Sequence, residues 1–169
     1  MLTVLPGLAV ALSSDRDQPI EIEANRAEAD ESQRVTIYKG DAVITQGTLR
    51  ISGETIWIYL NAEDEFVKLV SVGRPAQMRQ IPDGETEPQV ADAKRLEYYA
   101  DRDLIVLLGN ARYGQGQDRI SAERIEYDSR RGRMRAVAQR GGAGGQSGSD
   151  QGTGRVRITI SPKSQKKAE

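Results

Sequence analysis

The residues of this chain that could do acid–base chemistry are its closely spaced carboxylates: Glu63-Asp64-Glu65, Glu21 with Glu23, and Asp101 with Asp103. Two carboxylates converging on one cleft can act as the acid and base of glycoside hydrolysis. Each of these pairs falls in a turn or on the polar side of an alternating stretch, where solvated carboxylates are the ordinary outcome. Asp101-Arg102-Asp103 lacks the remaining ligands of a calcium loop. Ser164-Gln165-Lys166-Lys167 fits a serine–lysine spacing only formally, within a basic tail, and no helix follows Gly114-Gln115-Gly116 to hold a phosphate. The chain has no cysteine and no histidine. Thiolate nucleophiles, Cys/His zinc sites and histidine acid–base catalysis are therefore excluded. No enzymatic activity, metal or cofactor is expected.

Binding is the chemistry that remains. Twenty-four lysines and arginines stand against 25 acidic residues with the signs interleaved, so no single-sign field is available for a nucleic-acid backbone. No nucleic-acid partner is expected. From Pro19 onward the apolar residues recur with a period of two. Ile20, Ile22 and Ala24 alternate with Glu21, Glu23 and Asn25; Val35 and Ile37 flank Thr36; Ile56, Ile58 and Leu60 share one face. Turn signals separate these stretches at 30–33, 46–47, 52–53, 61–64, 73–75, 82–84, 101–103, 114–116 and 129–132. Strands are predicted to end at Gly40 and Gly109 as well. Gln89–Tyr99 comes nearest to a helical spacing, but reads as a strand because its counterpart around Arg26–Asp30 leads into the same turn. The fold class is all-β, built from consecutive antiparallel strands.

The chain also repeats itself at an offset of 69 residues. Gly40-Asp41-Ala42 returns as Gly109-Asn110-Ala111, and Arg50-Ile51-Ser52 as Arg119-Ile120-Ser121. A repeat of this kind marks two similar halves, neither of which buries its apolar face alone. Ile44 and Tyr113 are matched, as are Ile51 and Ile120, Ile56 and Ile125, and Ile58 and Tyr127. In two short sheets packed face to face these residues point inward. They line either a plain core or a slot that accepts acyl chains, which need apolar area and no hydrogen-bond partners.

Asp17-Gln18-Pro19-Ile20-Glu21-Ile22-Glu23-Ala24, Tyr38 to Gly47, the Gly73-Arg74-Pro75-Ala76 corner and Val106 to Ala111 resemble the LptA, or OstA-like, family of periplasmic lipopolysaccharide transport proteins, over roughly residues 17–137. The resemblance implies a twisted antiparallel β-jellyroll, open at both ends, that carries lipid A acyl chains inside. It implies head-to-tail stacking into a homo-oligomer, bridging an LptC-like inner-membrane partner and an LptD-like outer-membrane partner. Ile20, Ile22, Met78, Tyr98 and Ala100 match its interior contacts. The expected interior lining is completed by Val35, Ile37, Ile44, Ile51, Ile56, Ile58, Val106, Tyr113, Ile120 and Ile125. The expected partner edges are Ile20, Ile22 and Ala24 at one end and Val156, Ile158 and Ile160 at the other.

The organisation expected along the chain is a signal-peptide remnant over residues 1–11, ending in Ala9-Val10-Ala11, then a jellyroll over 17–140. A glycine-rich flexible linker at 141–154, a C-terminal strand at 155–161 and a basic tail at 162–169 follow. The leader implies export, and the resemblance implies residence in the periplasm. The competing readings are an LptC-like membrane-tethered jellyroll, a structural β-solenoid or adhesin without lipid cargo and, last, a carboxylate-dependent carbohydrate enzyme.

Overall fold

The structure, a computed structural model, describes Asp15, residues 17–138 and residues 155–161. The expected leader, linker and basic tail lie outside these. Ten strands follow one another: β1 Ile20–Glu23, β2 Arg26–Asp30, β3 Val35–Gln46, β4 Leu49–Leu60, β5 Phe66–Gln80, β6 Gln89–Tyr99, β7 Leu104–Gln115, β8 Asp118–Asp128, β9 Arg133–Val137 and β10 Arg157–Thr159. They form one sheet in the order β1-β3-β4-β5-β6-β7-β8-β10, with β2 also on β3 and β9 also on β8. Every pairing is antiparallel.

Six long strands carry the molecule, and each bends near its middle. The register shifts between Lys39 and Ala42, Ser52 and Thr55, Val72 and Ala76, Asp92 and Arg95, and Leu108 and Ala111, so the irregularities form one column across the sheet. Extra residues in a ladder bend the strand that carries them and sharpen its twist. Left-handed backbone supplies the bends: Gly40 and Asp41 have φ of +80° and +46°, and Gly109 and Asn110 have +82° and +49°. Glycine suits the first of each pair doubly, because a Cβ there would strike the side chain of Asn25 at Gly40 and of Lys94 at Gly109. The 69-residue offset thus holds for backbone conformation and for the neighbour that enforces it.

The bends fold the sheet into two facing walls. Tyr113 pairs with Ile120 in the ladder, and Tyr127 lies seven residues further along the same strand. Seven residues span ~23 Å in a straight strand, yet the rings of Tyr113 and Tyr127 are 5.8 Å apart. One wall holds β1, β10 and the halves of the long strands around Ile44, Ile51 and Met78. The other holds β2, β9 and the halves around Ile56, Leu69 and Leu107. The core lies between them and draws on both.

This arrangement corrects several strand boundaries. Gly40 and Gly109 lie within single strands, and Ser52-Gly53 and Gly73-Arg74-Pro75 are not chain reversals but the bends of β4 and β5. Glycine and proline there turn the strand through the corner instead of ending it. Gln89–Tyr99 is a strand, as expected. The C-terminal strand joins the parent sheet, with Ile158 opposite Ile120.

Candidate functional site

The inner faces of the two walls define the site, and their chemistry is graded from corner to rim. At the corner the side chains are small: Ala42, Ala76, Ala93, Ala111 and Ala122 face the core. The next rows are mostly large and apolar, with small Ala91 and Ala136 and the buried Ser71, whose hydroxyl donates to the Ser52 carbonyl, among them. On the β1 wall the ladder runs Ile22, Ile44, Ile51, Met78, Ala91, Tyr113, Ile120, Ile158. On the facing wall Tyr38, Ile56, Ser71, Leu96, Leu107, Ile125 and Ala136 form one row, and Ile58, Leu69, Tyr98, Ile105, Tyr127 and Met134 form the next. The rim of the β1 wall is the most polar part of the inner face, although Ile20 and Leu49 stand in it beside Gln46. Gln46, Gln80, Gln89 and Gln115 share the inner face there, two residues out from Ile44, Met78, Ala91 and Tyr113.

Buried carboxylates fasten the rims. Asp15 accepts hydrogen bonds from the Thr48 backbone N–H at 2.7 Å, from the Thr48 hydroxyl at 2.8 Å and from Gln80 Nε2 at 2.8 Å. On the opposite rim Asp103 accepts from the Tyr98 hydroxyl at 3.0 Å and from Arg130 Nε at 2.7 Å. Burial, with Tyr127 beside it, pushes the Tyr113 hydroxyl well above the ordinary tyrosine range, so that ring stays neutral. A neutral apolar interior with a polar rim fits an amphiphile whose chains lie inside and whose head stays at the lip.

Most expected lining residues meet here. Ile44, Ile51, Ile56, Met78 and Ile125 belong to the core, and Ile22, Ile58, Tyr98, Tyr113 and Ile120 pack against it. Ile20 shares the inner face at the outermost turn of β1. Ala100 lies one residue past β6, in the turn, where its N–H donates to the Val67 carbonyl at 3.0 Å. Three residues are corrected: Val35, Ile37 and Val106 face outward. In the ladder Ile37 stands beside Trp57, Val70, Glu97 and Val106, one residue out of phase with the inward Tyr38, Ile56 and Leu107. Val70 and Val106 are nonetheless only 1% and 3% exposed, so this wall is apolar on both faces. The residues missed from sequence are the corner alanines together with Leu69, Leu96 and Leu107. The signal was available, since Leu96 and Leu107 alternate correctly with Tyr98 and Ile105.

Large apolar side chains left in water cluster at the sheet edges. Ile20 on β1 is 58% exposed, Ile158 on β10 is 59% and Ile160 just beyond it is 74%, with Val137 at the end of β9. Ala24 lies exposed in the break between β1 and β2, and Val156 packs against the core. The proposed catalytic carboxylates do not converge. Glu21 and Glu23 lie on the outer face of β1, the Glu63–Glu65 turn is organised by Asn61 Oδ1, and Asp103 is ion-paired while Asp101 is exposed. Among the described residues no group of three His, Cys, Asp or Glu side chains could hold a metal ion.

The family described as LptA/(LptD N-terminal domain) LPS transport protein matches residues 21–133. The chain belongs to this family. Lipopolysaccharide export system protein LptH of Pseudomonas aeruginosa is 33% identical over 162 residues, covering 96% of this chain and 89% of that protein. Lipopolysaccharide export system protein LptA of Escherichia coli is 28% identical over 134 residues, covering 79% and 72%. The crystal structure of LptH, the LptA-homologous periplasmic component of the lipopolysaccharide transport device of P. aeruginosa, superposes with a TM-score of 0.74 at 31% identity, covering 89% of this chain and all of that one. The fold is the β-jellyroll of the LptA family. Its members are transport proteins rather than enzymes, which disposes of the carbohydrate-enzyme reading.

Proposed function

We propose that this chain is a periplasmic lipopolysaccharide carrier that holds lipid A acyl chains between its two walls and passes them along a bridge between membranes. The observation that carries the reading is an apolar interior that runs across the whole sheet and is uncovered at both edges, where Ile20, Ile158 and Ile160 stand in water. Exposed apolar edges call for a partner.

The edges also suit each other. The outward side chains of β1 and β2 are Glu21, Glu23, Arg26, Glu28 and Asp30; those of β9 and β10 include Arg133, Arg135 and Arg157 and no carboxylate. Because β1 and β10 belong to one wall and β2 and β9 to the other, stacking one copy on the next sets β10 against β1 and β9 against β2, antiparallel in both cases. The sheet then continues, the groove lengthens, and acidic meets basic. An LptC-like jellyroll at one end and an LptD-like one at the other would meet the same edges.

Photocrosslinking tests the cargo. A photoreactive residue at Ile22 or Tyr98, both inward, should capture lipopolysaccharide, and one at Lys68, outward beside Tyr59 and Tyr99, should not. Capture at Lys68 alone would sink the interior-binding reading.

A further inference from the structure

We infer that Arg50 and Arg79, on the outer face just below the glutamine-bearing rim, form a phosphate-binding site. The two arginines are direct partners across the β4–β5 ladder. Like charges placed opposite one another in a sheet repel, and among the described residues neither arginine has a carboxylate partner. Between them and their neighbours lies a depression of about 280 Å³, also lined by Ser52, Gln77, Val90 and Asp92.

The carboxylate in that depression has its own ion-pair partner. Asp92 faces Arg112 in the ladder, and Arg112 Nε lies 3.0 Å from its Oδ2, although that buried oxygen accepts no hydrogen bond. Two positive charges therefore remain without a counter-charge, beside a hydroxyl and an amide that can donate. Two guanidinium forks a strand apart suit the oxygens of a phosphate monoester better than a single carboxylate, because each fork can take two oxygens. A third arginine extends the row. Arg119 lies over Gly114, where a Cβ would come within 2.6 Å of its Cδ, and it is tied by its own turn carbonyls of Gly116 and Asp118.

Position suggests where the phosphate comes from. Leu49 and Gln80 are the next residues toward the rim on the same two strands and face inward, so a head group crossing the lip from the groove arrives above Arg50 and Arg79. This source rests on the proposed carrier function; free phosphate would satisfy the same chemistry.

The test compares full-length wild-type protein with Arg50→Gln/Arg79→Gln, using bis-phosphorylated lipid A, the same lipid with both phosphates removed, and inorganic phosphate. The double variant should bind phosphorylated lipid A roughly tenfold more weakly and the dephosphorylated lipid unchanged, with a melting temperature no lower than wild type. Equal weakening for both lipids, or none for either, overturns a head-group site. If wild type binds neither lipid, the carrier reading fails by itself, and the phosphate site is then judged by the guanidinium resonances. Perturbation of the Arg50 and Arg79 Nε–H signals by inorganic phosphate, lost in the variant, sustains a site for free phosphate. No perturbation removes the site altogether.

Discussion

Reversing charge on one edge of the sheet should uncouple the protomers without unfolding them. Arg133 and Arg135 are exposed on β9, and in the proposed stack they face Glu28 and Asp30 on β2 of the next copy. Exposed ion pairs contribute about 0.2–1 kcal/mol each. Arg133→Glu/Arg135→Glu removes two attractions and introduces two repulsions, so the change in association free energy should be about 1–3 kcal/mol, or roughly 5- to 150-fold in the association constant. Sedimentation over a range of concentrations reads this directly. At about 0.05 M salt the wild type should grow in steps of one protomer while the variant stays small. At about 1 M, where charges more than ~3 Å apart are screened, the two should converge. Glu28→Lys, made in a separate chain, should then accept the reversed chain as a neighbour in preference to wild type. Glu28, which pairs with Lys39 at 2.9 Å on the sheet surface, is chosen over Asp30 because Asp30 holds its own turn, accepting from the Ser32 hydroxyl at 2.6 Å and the Gln33 N–H at 3.0 Å. Wild-type association by the reversed chain at low salt, or a loss that salt does not narrow, would refute the edge pairing. A lowered melting temperature would show that the fold, not the edge, had been damaged.

Other consequences follow from single positions. Gly53→Ala should destabilise by roughly 1–3 kcal/mol in chemical denaturation, because the new Cβ would meet Ser71 Oγ and, at 2.8 Å, the Val72 carbonyl oxygen at the corner of β4, where backbone cannot yield; Gly84→Ala, whose Cβ meets nothing within 4 Å, bears only the cost of its φ of +79°. Glu97→Gln should lower stability at neutral pH by about 1–2 kcal/mol. Burial acts to raise the Glu97 pKa, but hydrogen bonds from Tyr99 and Arg95 and the Lys68 charge outweigh it and hold the carboxyl below 4.5. A depressed carboxylate pKa stabilises above the unfolded value and loses that contribution as pH falls through the folded one, so the difference between variant and wild type should close in acid below about 4.5; a gap that persists there refutes the assignment. Spin labels at Gln117→Cys and Asp101→Cys, specific because the chain has no cysteine, should move apart by roughly 5 Å when lipid A is added, as hydrocarbon enters between walls that otherwise lie about 10 Å apart; an unchanged distance would place the lipid elsewhere.

The repeat was legible in the sequence because it records backbone as much as side chains. Arg34 and Asp103, Gly40 and Gly109, Asp41 and Asn110, and Gly47 and Gly116 all adopt positive φ at the same offset, although only the glycines are identical within their pairs. What could not be read was whether a glycine ends a strand or bends it. Gly47 and Gly116 reverse the chain, while Gly40 and Gly109 let it continue on a new heading. The difference lies in the neighbouring strand, which pairs on both sides of Gly40 and leaves only one residue between Gly53 and Thr55 to span the bulge. Outward Val35, Ile37 and Val106 were misplaced for a related reason. Their apolar type usually signals the core, but here Ile37 and Val106 lie in the outer-face row of Trp57, Val70 and Glu97, and Val35 lies beside Tyr59 in the next outer-face row.

The closed interior and the open edges together say how such a groove can move its cargo. With no lipid between them the walls rest on one another, Tyr113 against Tyr127 and Ile56, Leu96 and Leu107 buried. An acyl chain entering there replaces wall-to-wall contact by chain-to-wall contact, one hydrocarbon surface for another, at about 25 cal/mol per Å² in either case. The exchange is therefore near balance along the groove, and no position becomes a trap. The corner alanines contribute no large side chain to grip the chain end, and the bulge column offers the line about which the walls can part. Net gain is concentrated where apolar surface otherwise meets water, at Ile20 on one edge and at Ile158 and Ile160 on the other. Under the proposed stacking, a neighbouring copy against each edge would remove that bias too, so the stacked assembly rather than the single chain would be the unit along which lipid slides.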